Sequence, residues 1–243
     1  PLYLRTLALQ RAHLGPDDSE TPKLLYGLGL GYSLNWQDAK AAALLEPAVE
    51  QSRHLWRNEN PQTAALLALL GYTRVHILQL EAAEPPARES LRITRKILGE
   101  ENTRTIGRML VLARIHLMKG ETNQADPLIE DVQAMRQRAA FENDPFIAPR
   151  LSHISMEYLE QDNLAKADFF GDLAVRTWRL KPDSNPLTSP RIITALGAVR
   201  LAQHRYTEAE SLLRESLDLA ERYWPEGEYR FLVMSLLGAS LTG

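Results

Sequence analysis

The sequence predicts an all-α solenoid of about twelve helices that pack as antiparallel pairs. Composition gives the first indication, because 41 leucines and 28 alanines among 243 residues favour helices, whereas clusters of β-branched residues typical of strands are sparse. An internal repeat with a period of 42 residues gives the second, since solenoids repeat one helical unit along the chain. The helical spacing of large and small residues inside each repeat gives the third.

The repeat is defined by two columns of small residues. Alanine recurs every 42 positions, at Ala41, Ala83, Ala125, Ala167 and Ala209. Twelve positions earlier lies a second small column, with Gly29, Gly71, Ala113, Ser155 and Gly197. Large apolar residues precede this column by one and by four positions, as Leu28 and Leu25 do in the first repeat. Such residues share one face of a helix, so the sequence predicts two backbones in close approach at the small residue.

Each repeat is predicted to hold two helices joined by a short bend. In the first repeat the helices run from about Pro22 to Leu34 and from about Asp38 to Trp56, and the bend between them makes the pair antiparallel. We predict that the whole chain, 1–243, is one solenoid: a partial unit at 1–21, repeats at 22–63, 64–105, 106–147, 148–189 and 190–231, and a closing unit at 232–243. The helix of the closing unit is expected to begin near Tyr229, at the end of the last repeat.

The segments between repeats are rich in glycine, proline, asparagine and acidic residues, which typically break and cap helices. Several are followed by a hydroxyl side chain that we expect to open the next helix, at Thr21, Thr63, Thr105 and Ser189.

Charge and composition exclude several classes of protein. The net charge is −3, and the chain has no cysteine, which excludes disulfides and thiolate chemistry while leaving the compartment open. The longest nearly apolar stretch, 64–72, is far shorter than the ~20 residues of a membrane-spanning helix. We expect a cytoplasmic chain without membrane attachment. Because it begins in mid-pattern without methionine, we also expect it to be part of a longer protein.

No motif predicts catalysis, a cofactor or a metal. The glycines at 27, 29 and 31 lack the strand and turn that a phosphate-binding loop needs, so we interpret them as helix packing. No two of the six histidines stand three or four positions apart, the spacing of metal ligands on a helix. A slightly acidic chain without a recurring polar code does not predict nucleic-acid binding. We therefore expect no enzyme.

The columns resemble the tetratricopeptide repeat (TPR). In the first repeat the matching residues are Leu25, Leu28, Gly29, Tyr32, Ala41, Leu45 and Ala48. The 42-residue length and the triplets at 83–85 and 125–127 are similar to the kinesin-light-chain type. This resemblance covers essentially the whole chain and implies a right-handed superhelix. The sequence departs from the family at its tyrosine column, with Arg74, His116 and Arg200, and at its bulky second-helix column, with Ala87 and Gly171.

The resemblance also implies a concave groove lined by the first helix of each repeat. The partner-binding residues it predicts are Lys23, Tyr26, Leu30, Tyr72, Val75, His76, Leu110, Arg114, Met118, Ser152, Met156 and Arg191. Aromatic, methionine and arginine side chains favour interaction surfaces, so we expect a protein or peptide partner that docks an apolar or helical segment. Alternatively, the apolar residues of this face pack only within the solenoid.

Two functions remain open from the sequence. The first is a protein-interaction scaffold or regulatory module within a larger signalling protein. The alternative is a sensor that binds a peptide or small ligand in the groove and acts on an attached output domain. Because the closing helix is apolar nearly all round, we also expect a homodimer through a solenoid end.

Overall fold

The computed structural model describes residues 19–56, 59–135, 144, 147–182, 186–224, 227 and 229–242. Within these ranges the chain forms eleven α-helices and no strand, which confirms the predicted all-α class. The helices are α1 (Glu20–Leu34), α2 (Asp38–Trp56), α3 (Pro61–His76), α4 (Leu80–Leu98), α5 (Thr103–Met118), α6 (Thr122–Met135), α7 (Ala148–Glu160), α8 (Leu164–Arg179), α9 (Ser189–Ala202), α10 (Tyr206–Tyr223) and α11 (Tyr229–Thr242). The predicted partial unit at 1–21 lies mostly outside the described residues.

The helices belong to two compact units, residues 1–120 and 121–243. In the first unit α2 packs between α1 and α3, and α4 packs between α3 and α5. In the second unit α8 packs between α7 and α9, and α10 packs between α9 and α11. The pairing therefore follows the repeat in both units, whereas one continuous solenoid over 1–243 stays a prediction.

The small-residue column holds the two helices of a repeat together. A Cβ atom built on Gly29 would lie 2.9 Å from Cδ2 of Leu45, and one built on Gly197 would lie 2.9 Å from Cδ2 of Leu213. Leu45 and Leu213 are fully buried, so each glycine receives a leucine from the second helix of its own repeat. The packing interpretation of Gly29 is thereby confirmed.

The two departures in the bulky second-helix column accompany a closer approach of backbones. A Cβ on Gly71 would lie 3.2 Å from the backbone nitrogen of Ala87. In the fourth repeat the order is reversed, because a Cβ on Gly171 of the second helix would lie 2.9 Å from Oγ of Ser155. In the second and fourth repeats both helices therefore carry a small residue at the contact. In the first and fifth repeats the first helix carries glycine and the second helix carries leucine.

The expectation that Thr63 and Thr105 cap their helices is wrong. Asn60 and Asn102 are the caps, since their side chains accept hydrogen bonds from the backbone N–H groups of Gln62 (2.8 Å) and Arg104 (3.0 Å). Both threonines lie inside the helix and are buried.

The buried hydroxyls instead bond to the preceding structure. Thr63 Oγ1 lies 2.6 Å from Oγ of Ser52 on α2, and Thr105 donates to the carbonyl of Gly99 at 2.7 Å. Ser189, the first residue of α9, accepts from Trp178 Nε1 at 2.8 Å. Thr21, the second residue of α1, is buried as well but differs, because its hydroxyl makes no hydrogen bond with the described residues.

The bend inside each repeat places one residue in the left-handed backbone region, again every 42 positions. These residues are Trp36 (φ 60°), Leu78 (φ 59°), Gly120 (φ 74°), Asp162 (φ 57°) and His204 (φ 59°). At Leu78 the backbone closes a Schellman motif, since the N–H of Leu78 donates to Val75 and the N–H of Gln79 donates to Arg74. The turn geometry therefore repeats although the residue type does not.

Leu78 is energetically unfavourable in the left-handed backbone conformation that its position requires. Its side chain is 73% exposed, and left-handed backbone costs roughly 1–2 kcal/mol for a residue with a Cβ. We expect Leu78→Gly to raise the free energy of unfolding by about 0.5–1 kcal/mol, after the larger entropy loss of glycine is subtracted. Urea denaturation followed by circular dichroism measures this.

Leu78→Ala is the matched control, because it removes the side chain and keeps the Cβ. We expect it to be near neutral. Gly120→Ala should lower stability by about 1 kcal/mol, since a Cβ there meets open space and only the backbone conformation resists it. Equal effects of Leu78→Gly and Leu78→Ala would contradict this account.

Candidate partner-binding groove

The predicted groove residues lie on the first helices of the repeats. In the first unit α3 packs beside both α1 and α5, and in the second unit α9 packs beside both α7 and α11. Each unit therefore has a layer of first helices with the second helices packed against it. This arrangement is the one that a groove requires.

Three of the predicted residues are buried, which corrects the prediction for them. Val75 and Leu110 are each 1% exposed, and Ser152 is 3% exposed and donates its hydroxyl to the carbonyl of Pro149. The physical reason is the density of neighbours: α3, for example, packs against α1, α2, α4 and α5, so little of its surface remains open. These three side chains lie inside the packed helices and not on an accessible surface.

The other nine predicted residues keep accessible surface. In the first unit Lys23 and Leu30 are exposed, whereas Tyr26, Tyr72, His76, Arg114 and Met118 are half-buried. In the second unit Met156 and Arg191 are half-buried. Lys23 is paired with Glu20 at 2.6 Å, and Tyr26 and Tyr72 pack with one side against the apolar core of the first unit.

The accessible side chains of the first helices fall at two positions of the repeat. These two positions are four residues apart on each helix. In the first unit these columns place six side chains on one surface, which we call the first-helix surface: Leu30 and Leu34 on α1, Tyr72 and His76 on α3, Arg114 and Met118 on α5. All six are exposed or half-buried. Residues at i and i+4 share a helix face, so each helix presents two neighbouring side chains.

A polar cluster fixes one part of this surface. Ser33 donates its hydroxyl to Oδ1 of Asp38 at 2.7 Å, and Oδ2 of Asp38 lies 3.1 Å from Nδ1 of His76. The His76 ring in turn lies 4.2 Å from the Tyr72 ring, between centroids. Because Asp38 is buried at the start of α2, it connects the first repeat to the second and orients both rings.

Sequence reasoning missed Asp38. A signal was present, since the other repeats carry Leu80, Thr122, Leu164 and Tyr206 in its column, and none of these is charged. A lone acid in such a column, 38 residues before a histidine, does not by itself show that the two side chains meet. Only the packing of α2 against α3 brings them together.

The column that holds tyrosine in the TPR family lies where successive repeats make polar contacts. Tyr158 donates to Oδ1 of Asp126 at 3.0 Å, and Lys166 contacts the same oxygen at 2.8 Å. The Lys166 ammonium, through its hydrogen bond, is the main cause that lowers the pKa of Asp126. Burial first, and the Asp126 carboxylate second, raise the pKa of the Tyr158 hydroxyl.

The two arginines in this column also face acids of the preceding repeat. Arg200 pairs with Asp168 and, at 3.3 Å, with Glu208 of its own repeat, and burial lowers its pKa. Arg74 pairs with Glu46 at 2.6 Å and donates to the carbonyl of Ala82 at 2.8 Å. Tyrosine and arginine thus occupy the same column, and each contacts an acidic side chain of the preceding repeat.

In the third repeat the column holds His116, which is fully buried and lies near Glu84. Glu84 accepts from Lys119 at 2.8 Å and from Arg88 at 2.6 Å. These hydrogen bonds, with Lys119 the larger cause, lower the pKa of Glu84 from 4.5 to about 2. Glu84 and Asp126 are the acidic residues of the two triplets, and Asp168 lies 42 positions after Asp126. Each of the three contacts a side chain of the next repeat.

Acid should weaken the Glu84 junction. Its folded pKa lies below its ordinary value, so its contribution is complete above about pH 4.5 and is lost as pH falls toward 2. The side chain is 20% exposed, and we expect a contribution of about 1 kcal/mol after allowance for solvent screening. Urea denaturation of wild type and Glu84→Gln at pH 7 and pH 3 measures it.

We expect the two proteins to differ by about 1 kcal/mol at pH 7 and by clearly less at pH 3. Glu81→Gln is the matched control, because Glu81 is exposed and reaches the same lysine only at 3.3 Å. A pH-independent difference between wild type and Glu84→Gln would contradict the assignment.

The length and apolar character of a helix decide whether it could cross a membrane. In the part of the chain that the structure describes, no helix combines the length and the apolar character needed to cross a membrane.

Comparison with known proteins identifies the fold. No family model and no curated protein matches the sequence. Solved structures do match, among them BtubC (BKLC) from P. vanneervenii, at 15% identity and a TM-score of 0.62 over 91% of this chain and 88% of that chain.

Two further structures agree. TPR-like repeats of the kinesin-light-chain type from Podosopora anserina match at 20% identity and a TM-score of 0.59, over 84% of this chain and 98% of that one. A thermophilic TPR protein of Thermus thermophilus matches at 19% identity and a TM-score of 0.59, over 91% of this chain and 100% of that one. At these identities the likeness shows the fold alone, and it confirms the predicted one: a TPR-like α-solenoid of antiparallel helix pairs.

Proposed function

We propose that this protein is a protein-interaction scaffold that binds a segment of a partner protein against the first-helix surface. The single observation that carries the proposal is the pair of accessible columns in the first unit, which place Leu30, Leu34, Tyr72, His76, Arg114 and Met118 on one face. Tyrosine, methionine and arginine are enriched at protein interfaces, whereas a solvated face carries mostly lysine and glutamate.

The surface is also partly organised before binding. The Asp38 contact holds His76, and the His76 ring packs on Tyr72, so two of the six side chains have defined positions. Binding to ordered side chains loses less rotational freedom than binding to mobile ones, which favours affinity. Arg114 and Met118 lie on the adjacent helix and extend the surface beyond the rings.

The chemistry of the surface favours an apolar or helical partner segment. Leu30, Leu34 and Met118 supply apolar contact, and rows of such side chains suit an amphipathic helix that presents residues at i, i+3, i+4 and i+7. A clamp for a peptide carboxylate is not favoured, since tyrosine and leucine occupy the columns in which such clamps carry lysine and asparagine. As a larger setting we propose a cytoplasmic signalling protein, and we propose self-association through one end of the array.

The proposal predicts that a partner is lost when the first-helix surface is altered. Tyr72→Ala with Arg114→Glu removes the central ring and reverses a neighbouring charge. We expect at least a tenfold loss of a specific partner in pull-downs from source-cell lysate, because truncation of a central aromatic residue at an interface costs about 2 kcal/mol or more. Mass spectrometry of the bound fraction measures the loss.

The matched control is Ile97→Ala with Arg92→Glu, an apolar truncation and a charge reversal at exposed positions of α4. Circular dichroism must show the same helix content for wild type and both variants. Retention of the partner by the control and its loss from the first-helix variant supports the proposal. Equal recovery by all three proteins, or recovery of nothing specific, would refute it.

A further inference from the structure

The Asp38 carboxylate is buried, and the base that lies beside it is a histidine. Its side chain is 6% exposed. Within the part of the chain that the structure describes, it contacts two groups: the Ser33 hydroxyl at 2.7 Å and Nδ1 of His76 at 3.1 Å. Burial removes the water that stabilises a carboxylate, so a buried carboxylate needs a cation beside it. The charge of Asp38 is therefore fully balanced only when His76 is protonated.

Asp38 differs in this respect from four other acids that join one helix to another. Each of those acids pairs with a lysine or an arginine, which stays charged throughout the neutral range of pH. They are the pairs Glu46–Arg74, Glu84–Lys119, Asp126–Lys166 and Asp168–Arg200. The Asp38 contact is the one of these five whose positive charge depends on pH.

The geometry defines where the proton is taken up. An ionised carboxylate only accepts hydrogen bonds, so Nδ1 of His76 carries the hydrogen in the contact with Asp38. A second proton then adds at Nε2, and an ordinary histidine takes it up near pH 6.5. Protonation turns the contact into an ion pair with a charge-assisted hydrogen bond, which is shorter and stronger than a neutral one.

This titration takes place on the first-helix surface. The His76 side chain keeps 14% of its surface exposed, and its ring lies 4.2 Å from the Tyr72 ring, between centroids. A proton on His76 therefore changes two properties of the surface: it strengthens the contact that holds the two rings in place, and it adds one positive charge.

We propose that the contact between Asp38 and His76 is a pH-sensitive element of the first-helix surface. Below about pH 6.5 the ion pair holds the two rings firmly, and above it the neutral imidazole is held by a weaker hydrogen bond. Asp38 is thus a positioning residue for the ring of His76. Where it concerns partner binding, this inference rests on the proposed scaffold function, whereas the titration of His76 does not.

Other charged and titratable side chains lie near this end of the first unit, on α3 itself and on the helices that pack against it. They are Tyr32 on α1, Lys40 on α2, Tyr72 and Arg74 on α3, Glu81 and Glu84 on α4, Arg114 and His116 on α5, and Lys119 directly after α5.

These groups leave Asp38 as the main influence on His76. Lys40 is bonded to Gln37, and Glu81 and Glu84 are bonded to Lys119. The positive charge of Arg114 opposes a proton on His76. Asp38 favours that proton more strongly, because it is in direct contact with the ring and the energy between two charges falls with their distance.

The first test follows the six histidines of the 243-residue chain by NMR between about pH 5 and pH 8. The His76 signals are assigned with His76→Gln. In wild type we expect ring ¹⁵N shifts that show Nδ1 protonated throughout and Nε2 gaining its proton in this range. We expect the midpoint of this titration to fall by about 1 pH unit in Asp38→Asn, which removes the charge and keeps the shape.

Ser33→Ala is the matched control, because it removes the other hydrogen bond to Asp38 and leaves the carboxylate charged. We expect its His76 midpoint to equal that of wild type or to exceed it. The signals of His204, an exposed residue bonded to Tyr206, should be the same in all variants. Circular dichroism checks that helix content is unchanged.

Three results would overturn the inference: an Nδ1 without a proton in wild type, a His76 midpoint that is the same in wild type and Asp38→Asn, or an equal fall in Asp38→Asn and Ser33→Ala. The first of these is read from wild type alone, so it holds even when a variant fails to fold.

The second test measures the effect on binding. Pull-downs from source-cell lysate compare wild type with His76→Gln at about pH 6 and about pH 8. We expect recovery of the partner by wild type to rise at the lower pH by about threefold more than recovery by His76→Gln, because ordered rings lose less freedom on binding.

The same pH dependence in both proteins would overturn the effect on binding. Recovery of no specific partner at either pH would refute the scaffold function, and the NMR titration would still decide whether Asp38 controls the proton on His76. The two tests therefore separate a failure of this inference from a failure of the proposed function.

Discussion

The close approach of two helix backbones at one small residue per repeat is the constraint on which the rest of the structure depends. At Gly29 and Gly197 the approach leaves room for a buried leucine from the second helix, and at Gly71 it brings α3 against the backbone of α4. Because the contact admits no larger side chain without displacement, it fixes the separation and register of the pairs α1–α2, α3–α4 and α9–α10. The accessible columns of the first helices follow from that register, since residues on the opposite side of the small column are the ones that remain open.

Polar contacts hold successive repeats together where apolar packing alone gives little directional preference. Glu84, Asp126 and Asp168 stand at the same position in three repeats, and each lies against a side chain of the next first helix or its neighbours. These three repeats keep an acidic residue at this position, whereas the residue that pairs with it differs: Lys119, Tyr158 or Arg200. Junctions of this kind are half-buried and charged, so they tie the stability of the array to pH. They also give the acidic residues Glu84 and Asp126 of the triplets a structural role.

The surface proposed for a partner has a definite physical origin. The first-helix surface combines aromatic, cationic and thioether side chains, and a buried Asp38 orients two of them. A surface of mixed chemistry favours selective recognition.

The sequence by itself determined the helical class, the 42-residue period and the close contact at Gly29, because each depends on residue spacing along one helix. It also determined the bounds of α2, Asp38–Trp56, and the start of α11 at Tyr229. Only the tertiary structure decided that Val75, Leu110 and Ser152 are buried, since their exposure depends on how many neighbours surround each first helix. It likewise decided that Asn60 rather than Thr63 caps α3, and that Asp38 meets His76. These contacts join residues that are distant in the chain or compete for one backbone group, and residue spacing does not specify such choices.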